Sequence, residues 1–492
     1  MKFDKFKKLI QNYNLIPVYE IITGDMLTPV LAYLKLRSKK HQSFLLESVE
    51  GEDNIARYSF IGNNPIITVS TSGEYITVKE GKNKKKIKKN VFNHLEEIIK
   101  KYKQPKLNEL PDFTGGYVGF LGYENISLIE NSINFSNNSN LEYDSVFGLY
   151  RTVIAFDHLK HQIILITNVE VNIKTDPYLD FHNAKKKLKY IRKKLSAQID
   201  YSSDFSIVKY IRDKIDNSEF FAKVKDCQQR IENGDIYQLV LSENFSASFK
   251  GDTFNVYRAL RTINPSPYMY FLQFENNFTI TGTSPEDLIK VRDRKAQVLP
   301  IAGTRKRGNT IQRDKELEYE LLNDPKELAE HTMLVDLGRN DLGKVSKYST
   351  VKVLQDKRVQ KYSHVMHLVS KVEGELLDDK SSIDALKSCF PAGTVSGAPK
   401  LKAIELINNY EKKPRGVYAG AIGYIDFSGN LDMCISIRTL YSIKDKIYWQ
   451  AGAGIVYDSI PKMELKEIYN KSAVLIKALK YAEVIDESIS DW

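Results

Sequence analysis

A chain of 492 residues, 42% of them hydrophobic, can bury a sizeable core, and length alone allows two or three domains or one large α+β unit. No apolar run approaches the roughly 20 residues of a membrane span, and the start, MKFDKFKKLIQNYN, has no signal-type apolar stretch. Cys227, Cys389 and Cys434 form neither a CxxC pair nor a disulfide framework, so a soluble protein of the reducing cytoplasm is expected.

The 72 Lys and Arg against 62 Asp and Glu leave a formal charge of +10. Such a surplus suits nucleic acid or a small anionic substrate. The basic tracts at 81–90 (GKNKKKIKKN) and 185–194 do not interleave aromatics as a single-strand-binding groove does. They read as solvated surface, and neither a nucleic-acid nor a membrane partner is expected.

In chain order, SFLLES (43–48), RYSFIG (57–62) and PIITVS (65–70) read as short strands between turn signals, which predicts a β-rich N-terminal part over 1–200. VFNHLEEIIKKYK (91–103) has helical spacing, and FTGGYVGFLGY (113–123) is strand-like. The polar NSINFSNNSN (131–140) reads as a loop. Strands resume at VFGLYRTVIAFDH and HQIILITNVEV, before a basic helix at 184–198. Residues 199–216 read as a connection. From 218 to 475 helical windows (219–233, 315–337, 381–389, 398–412, 461–481) alternate with hairpin-like strands.

Two of these helices each place glutamates three residues apart on one face: Glu327 with Glu330, and Glu464 with Glu467. Four carboxylates brought together repel unless a cation joins them, and hard oxygen ligands without clustered Cys or His point to magnesium. Taken alone, an ExxE pair is more often solvated helix surface. Asp336, Arg339 and Asp341 crowd charge into the apolar LVDLGRNDLG, where buried charge must be paired. In QAGAGIVYDS, Gly452 and Gly454 let backbone amides approach an anion, or else mark a bulge or tight crossing.

PIAGTR (300–305), AEHTMLVDLGRNDLG (329–343), YSHVMHLVS (362–370), GTVSGAPK (393–400), CISIRT (434–439) and QAGAGIVYDS (450–459) together resemble the chorismate-utilising enzymes, in that family's order. The resemblance implies an α+β fold of two large, mainly antiparallel β-sheets packed as a sandwich with helices outside. The 218–475 part would be catalytic. Within the family the chain is similar to large subunits of anthranilate synthase, which make anthranilate and pyruvate from chorismate and ammonia at the first committed step of tryptophan biosynthesis. Gln238 stands where isochorismate-type members carry a water-activating lysine, and Ala302 where aminodeoxychorismate synthases commonly carry a lysine able to attack the ring. The aminodeoxychorismate reaction is the nearest alternative.

By the same resemblance, Glu330 and Glu467 hold Mg2+ with Glu327 and Glu464 outside them, and Lys471 adds positive charge to the ring carboxylate. Arg438, Tyr418 and the amides of Gly452, Ala453 and Gly454 meet the enolpyruvyl carboxylate, with Gly303 and Thr304 lining the pocket. Glu286 is the expected acid for the departing hydroxyl, unless it only caps a helix after Ser284 and Pro285. His367 matches the histidine associated with aromatisation, and His364 is placed outside the site. Glu47 and Ser48 in LLES, with Pro267, Tyr268 and Met269 in PYM, resemble a regulatory site for L-tryptophan, an inhibitor. None of the three cysteines has the flanks of a glutaminase nucleophile, so a separate glutamine amidotransferase subunit is the expected partner.

Overall fold

The computed structural model describes residues 1–492 except 39, 49–56, 136–140, 173–175, 200, 202–203, 213, 362–364 and 488–492; His364 and part of the 131–140 segment lie outside the described residues. Two large antiparallel sheets carry the fold. From edge to edge, the first runs Leu15–Thr23, Gln162–Glu170, Thr152–Asp157, Tyr58–Asn63, Ser43–Glu47, Tyr268–Gln273, Phe278–Ser284, Thr439–Ile443, Lys446–Ile455, Gln238–Gly251 and Phe205–Arg212. The second runs Ile301–Lys306, Val365–Glu375, Lys295–Val298, Asp287–Arg292, Leu431–Ile435, Ala421–Asp426, Gly116–Leu121, Ser145–Tyr150, Ile67–Ser72, Tyr75–Glu80 and Asn83–Lys88. Each sheet joins strands from both halves of the chain side by side.

Strand alternation decides which residues meet between the sheets. Phe44, Phe60, Tyr270 and Leu272 of the first sheet pack with Val118, Phe120, Val146 and Ile422 of the second. The opposite faces are covered by helices: Phe3–Leu9, Pro29–Leu36 and Pro177–Ser196 over the early strands of the first sheet, Asn217–Glu232 and Pro461–Glu483 over its late strands. Val91–Ile99 and Ser382–Cys389 cover the second sheet. The lysine tract proves to be that sheet's outer strand, with Lys84, Lys85 and Lys86 exposed. Charge there discourages edge-to-edge pairing with another chain.

Two sequence expectations change. The 199–216 connection contains the strand Phe205–Arg212, whose alternation is broken by register shifts at Ile207/Lys209 and Tyr210/Arg212. The helix expected at 315–337 is two helices, Ile311–Leu322 and Pro325–Gly343. Asn323 ends the first, Asp324 caps the second by accepting from the Lys326 and Glu327 amides, and Pro325 occupies a first-turn position where its missing N–H costs nothing.

Gly119 shows how closely the second sheet is packed. A Cβ there would stand 2.0 Å from the Val146 carbonyl oxygen and 2.8 Å from the Phe147 Cα, both backbone atoms that cannot swing aside. Gly119→Ala is therefore expected to destabilise the protein by about 1–3 kcal/mol, read as a lower urea midpoint; an unchanged midpoint would contradict the packing.

Candidate active site

The C-terminal part of the sandwich gathers the expected catalytic residues. Glu286 sits between Phe278–Ser284 and Asp287–Arg292, at a strand-to-strand turn. Its amide faces Ser284 Oγ at 3.4 Å and its carbonyl accepts from the Ile435 amide at 3.1 Å, so the helix-cap alternative does not apply. Burial pushes the carboxyl up to about 7, against the opposing influence of Thr394, Lys471 and Arg438. Thr394, which the sequence reading passed over inside GTVSGAPK, has a buried hydroxyl with no complete hydrogen bond.

Arg438 adopts the left-handed conformation, φ 49°, between Leu431–Ile435 and Thr439–Ile443. Its Nη1 donates to Asn264 Oδ1 at 3.1 Å, and burial lowers its pKa while the Glu286 charge raises it. Backbone strain of this kind at a non-glycine residue clusters at functional sites.

His367 lies in register with Thr304 across a bulge at Gly303. Gly303 has φ +68°, and a Cβ there would stand 2.9 Å from Leu321 Cδ1 and 3.2 Å from Glu327 Oε2. His367 Nδ1 donates to the Gly303 carbonyl at 3.1 Å and lies 3.0 Å from Thr304 Oγ1. A carbonyl only accepts, so the proton sits on Nδ1 and the acceptor atom of the neutral ring is Nε2. Burial, with Arg438 adding to it, lowers the pKa of this ring.

The strand Lys446–Ile455 pairs with Thr439–Ile443 only as far as Trp449, so Gly452, Ala453 and Gly454 run past that neighbour while staying paired with Gln238–Gly251 on the other side. Space is tight at Gly452, where a Cβ would meet Tyr418 Oη at 2.7 Å and the Leu241 carbonyl oxygen at 2.9 Å; one at Gly454 would meet only the mobile end of Gln238, Nε2 at 2.8 Å. Gln238 thus borders the cleft, and the buried Tyr418 has its hydroxyl pKa pushed up to about 12 by burial.

The two glutamate helices come near enough for their charges to act on one another. Lys471 Nζ pairs with Glu467 Oε1 at 2.7 Å and donates to the Gly452 carbonyl at 2.9 Å, joining the carboxylates to the glycine strand. Burial raises the Glu330 carboxyl, and the charges of Glu327 and Glu467 raise it further. Glu327 is paired with Arg305 at 3.0 Å, and Glu464 is raised by burial beside Ser459. Among the described residues no group of three or more His, Cys, Asp and Glu side chains is arranged to hold a metal ion. What the structure offers a hard cation is mutually repelling carboxylates from two helices, and magnesium commonly takes only one or two from the protein.

The crowded charge of LVDLGRNDLG resolves differently from the sequence reading. Asp336 and Arg339 are exposed and pair with each other at 3.0 Å, and only Asp341 is buried. It pairs with Lys400 at 2.7 Å and Lys344 at 3.0 Å, tying the end of GTVSGAPK to the helix that carries Glu330.

A second cavity, of about 360 Å³, lies between the sheets and is lined by all five residues expected for tryptophan: Glu47, Ser48, Pro267, Tyr268 and Met269. They come together because Met269 is in register with Glu47. Their side chains divide between two faces. Met269 packs into the helix-side core, and Glu47 Oε2 accepts from Tyr257 Oη at 2.5 Å and Arg261 Nε at 3.0 Å, also on the helix side. Glu47 is therefore already paired with Arg261 through Oε2. The charges in the wall are Arg57, Asp112, Lys290, Arg292 and Asp432, beside the aromatic rings of Phe60, Phe113 and Tyr424. Tyr268 donates to Asp432 at 2.9 Å, while Ser48 Oγ is buried without a partner among the described residues.

The profile of the chorismate binding enzyme family matches residues 42–477. The chain belongs to that family. It is 42% identical to anthranilate synthase component 1 of Acetivibrio thermocellus, over 97% of this chain and 98% of that protein, and 40% identical to the Aquifex aeolicus protein of the same name, over 99% of each. The crystal structure of anthranilate synthase component I from Streptococcus pneumoniae superposes with a TM-score of 0.77 at 37% identity, covering 93% of this chain and 99% of that one. The family fold is the two-sheet α+β architecture described above. Among the described residues no helix is long and apolar enough to cross a membrane.

The Glu286 carboxyl has a stability signature. Its folded pKa of about 7 lies above the ordinary 4.5, so the folded state binds an extra proton between those values. That preference is fully present below pH 4.5 and is lost as pH rises through 7. Glu286→Gln, which mimics the protonated form, is expected to be more stable than wild type by about 3 kcal/mol at pH 8 and equal to it near pH 4. Unfolding midpoints across this range check it, and a constant difference would be inconsistent with a raised pKa.

Proposed function

We propose that this chain is the chorismate-using subunit of an anthranilate synthase, converting chorismate and ammonia to anthranilate and pyruvate at the first committed step of tryptophan biosynthesis. The observation that carries the reading is the meeting of Glu286, Arg438, Lys471 and the Gly452–Gly454 strand, with Gln238 beside Gly454 and alanine at position 302 of the matching motif. Neither of those two can activate water or attack a ring as an amine, so direct addition of ammonia is left. The aminodeoxychorismate reaction is disfavoured by Ala302.

Chorismate is a dianion with a poor leaving group. Arg438 offers a planar fork to the enolpyruvyl carboxylate, with Tyr418 and the open amides of the glycine strand beside it. Glu286, protonated to a substantial extent near neutrality, gives its proton to the departing hydroxyl. His367 Nε2 takes a ring proton as pyruvate leaves. Glu330 and Glu467 are the residues that would hold magnesium, which supplies positive charge to polarise the ring carboxylate. Lys471 contributes charge to the same end. Ammonia would come from glutamine through a separate amidotransferase subunit, in keeping with the word component in the relatives' names, and the reaction belongs in the cytoplasm.

Chorismate incubated with the pure chain, magnesium and ammonium is expected to yield fluorescent anthranilate, and glutamine in place of ammonium to yield none. Glu330→Gln or Glu467→Gln should lower turnover at least about a hundredfold, because each removes a hard ligand and a formal charge. Absence of anthranilate would sink the reading, and near-wild-type turnover in either variant would sink the metal assignment.

The inter-sheet cavity is the proposed site for L-tryptophan as a feedback inhibitor. Its size lies in the roughly 300–1,000 Å³ range of small-molecule sites, its aromatic walls suit an indole, and the Ser48 hydroxyl, without a partner among the described residues, can bond the ligand. The strand Asp287–Arg292 carries Lys290 and Arg292 into the cavity wall and begins directly after Glu286, so a ligand that displaces it reaches the acid of the cleft. Chorismate and tryptophan then weaken each other reciprocally. Ser48→Phe should fill the cavity and abolish inhibition while leaving uninhibited turnover near wild type. Wild-type turnover indifferent to millimolar tryptophan, or a fully sensitive Ser48→Phe, would refute the assignment.

A further inference from the structure

We propose that Arg415 is a positioning residue for this reaction, holding Tyr418 and the two backbone walls of the chorismate cleft in register without touching substrate; the proposal rests on the reading of Tyr418 as a substrate-binding group. Arg415 is 2% exposed. Its Nε and Nη2 form a fork with Glu411 at 2.8 and 2.7 Å, Nη2 also donates to the Val240 carbonyl at 2.8 Å, and Nη1 donates to the Val395 carbonyl at 2.6 Å.

Each of these contacts lies one step from a residue of the cleft. Val240 is the register partner of Gly454, and Val395 follows Thr394, the hydroxyl beside Glu286. Glu411 Oε1 accepts from the amide and hydroxyl of Ser242, the register partner of Gly452. The guanidinium lies 5.6 Å from the Tyr418 ring centroid, and the Tyr418 amide donates to the Arg415 carbonyl at 3.1 Å. On its other side the guanidinium lies 4.7 Å from the Tyr123 ring. Glu124 fixes the turn itself by accepting from the Arg415 amide at 2.7 Å and the Gly416 amide at 3.1 Å.

A pair serving only stability would not need this arrangement, since apolar residues of similar volume often replace a buried ion pair without loss. Planarity matters here. Only a fork can address a carboxylate and two carbonyls while lying beside two rings, and a lysine ammonium cannot do all of this at once.

The test is a double-mutant cycle on the full chain in ammonium-dependent steady-state assays. Arg415→Lys and Tyr418→Phe should each raise KM for chorismate about tenfold with a smaller change in kcat, as expected when a binding wall is misplaced. The double variant should be no worse than the worse single, because one residue acts through the other. Multiplying effects, or a wild-type KM in Arg415→Lys, would overturn the proposal. A wild-type KM in Tyr418→Phe alone would instead break the reading of Tyr418, and a raised KM in Arg415→Lys would then overturn the route proposed here as well. Should Arg415→Lys fail to fold, Arg415→Met with Glu411→Leu removes both charges and keeps apolar volume. Cooperative unfolding with a raised KM in that variant supports positioning, and a native KM overturns it.

Discussion

Charge taken out of water must be compensated by other charge or by hydrogen bonds, and the C-terminal part of this protein is arranged around that requirement. Around Glu286 the chain gathers the cations Lys471 and Arg438, and two helices bring the carboxylates of Glu330 and Glu467 near enough to repel each other. Lys471 is placed so that it neutralises Glu467 while its ammonium bonds the glycine strand. Asp341 with Lys400, and Glu411 with Arg415, do the same one layer further out. The cations near Glu286 compensate it only in part, and burial pushes its carboxyl up to about 7.

The sheets supply the rigidity on which such pairing depends. Gly452 and Gly454 can be approached by Tyr418 and Gln238 because they lie on a strand fixed along one side and open along the other. Gly303 plays a comparable part, since its left-handed conformation makes the bulge that turns the backbone carbonyl onto His367. Small residues here are positions where a side chain would occupy space that substrate or a neighbouring functional group needs.

Much of this was legible from the residues. The short strands between 43 and 72, the helices at 91–103 and 461–481, and the motifs that carry the family resemblance all correspond to local patterns, and local patterns survive folding. What escaped was relational. The strand Phe205–Arg212 has two bulges that spoil its alternation, so it reads as a connection. The break between Ile311–Leu322 and Pro325–Gly343 turns on one Asn-Asp-Pro step inside an otherwise continuous helical pattern. Glu47 is expected in the tryptophan site by resemblance and does line the cavity, but the sequence does not show that its carboxylate also pairs with Arg261. Asp336 and Asp341 look alike in sequence, but their turns of helix face solvent and core respectively.

The sharing of both sheets between early and late strands also bears on how the chain is made. Before residue 268 has been synthesised, Ser43–Glu47 has no neighbour on one side, and Gly116–Leu121, buried along its whole length in the finished protein, waits for Ala421–Asp426. At roughly 5–20 residues per second this leaves an apolar strand edge open on a ribosome-bound chain for on the order of tens of seconds. Those two edges are where a nascent chain of this protein has most need of a chaperone, and where association between neighbouring copies on one polysome would begin.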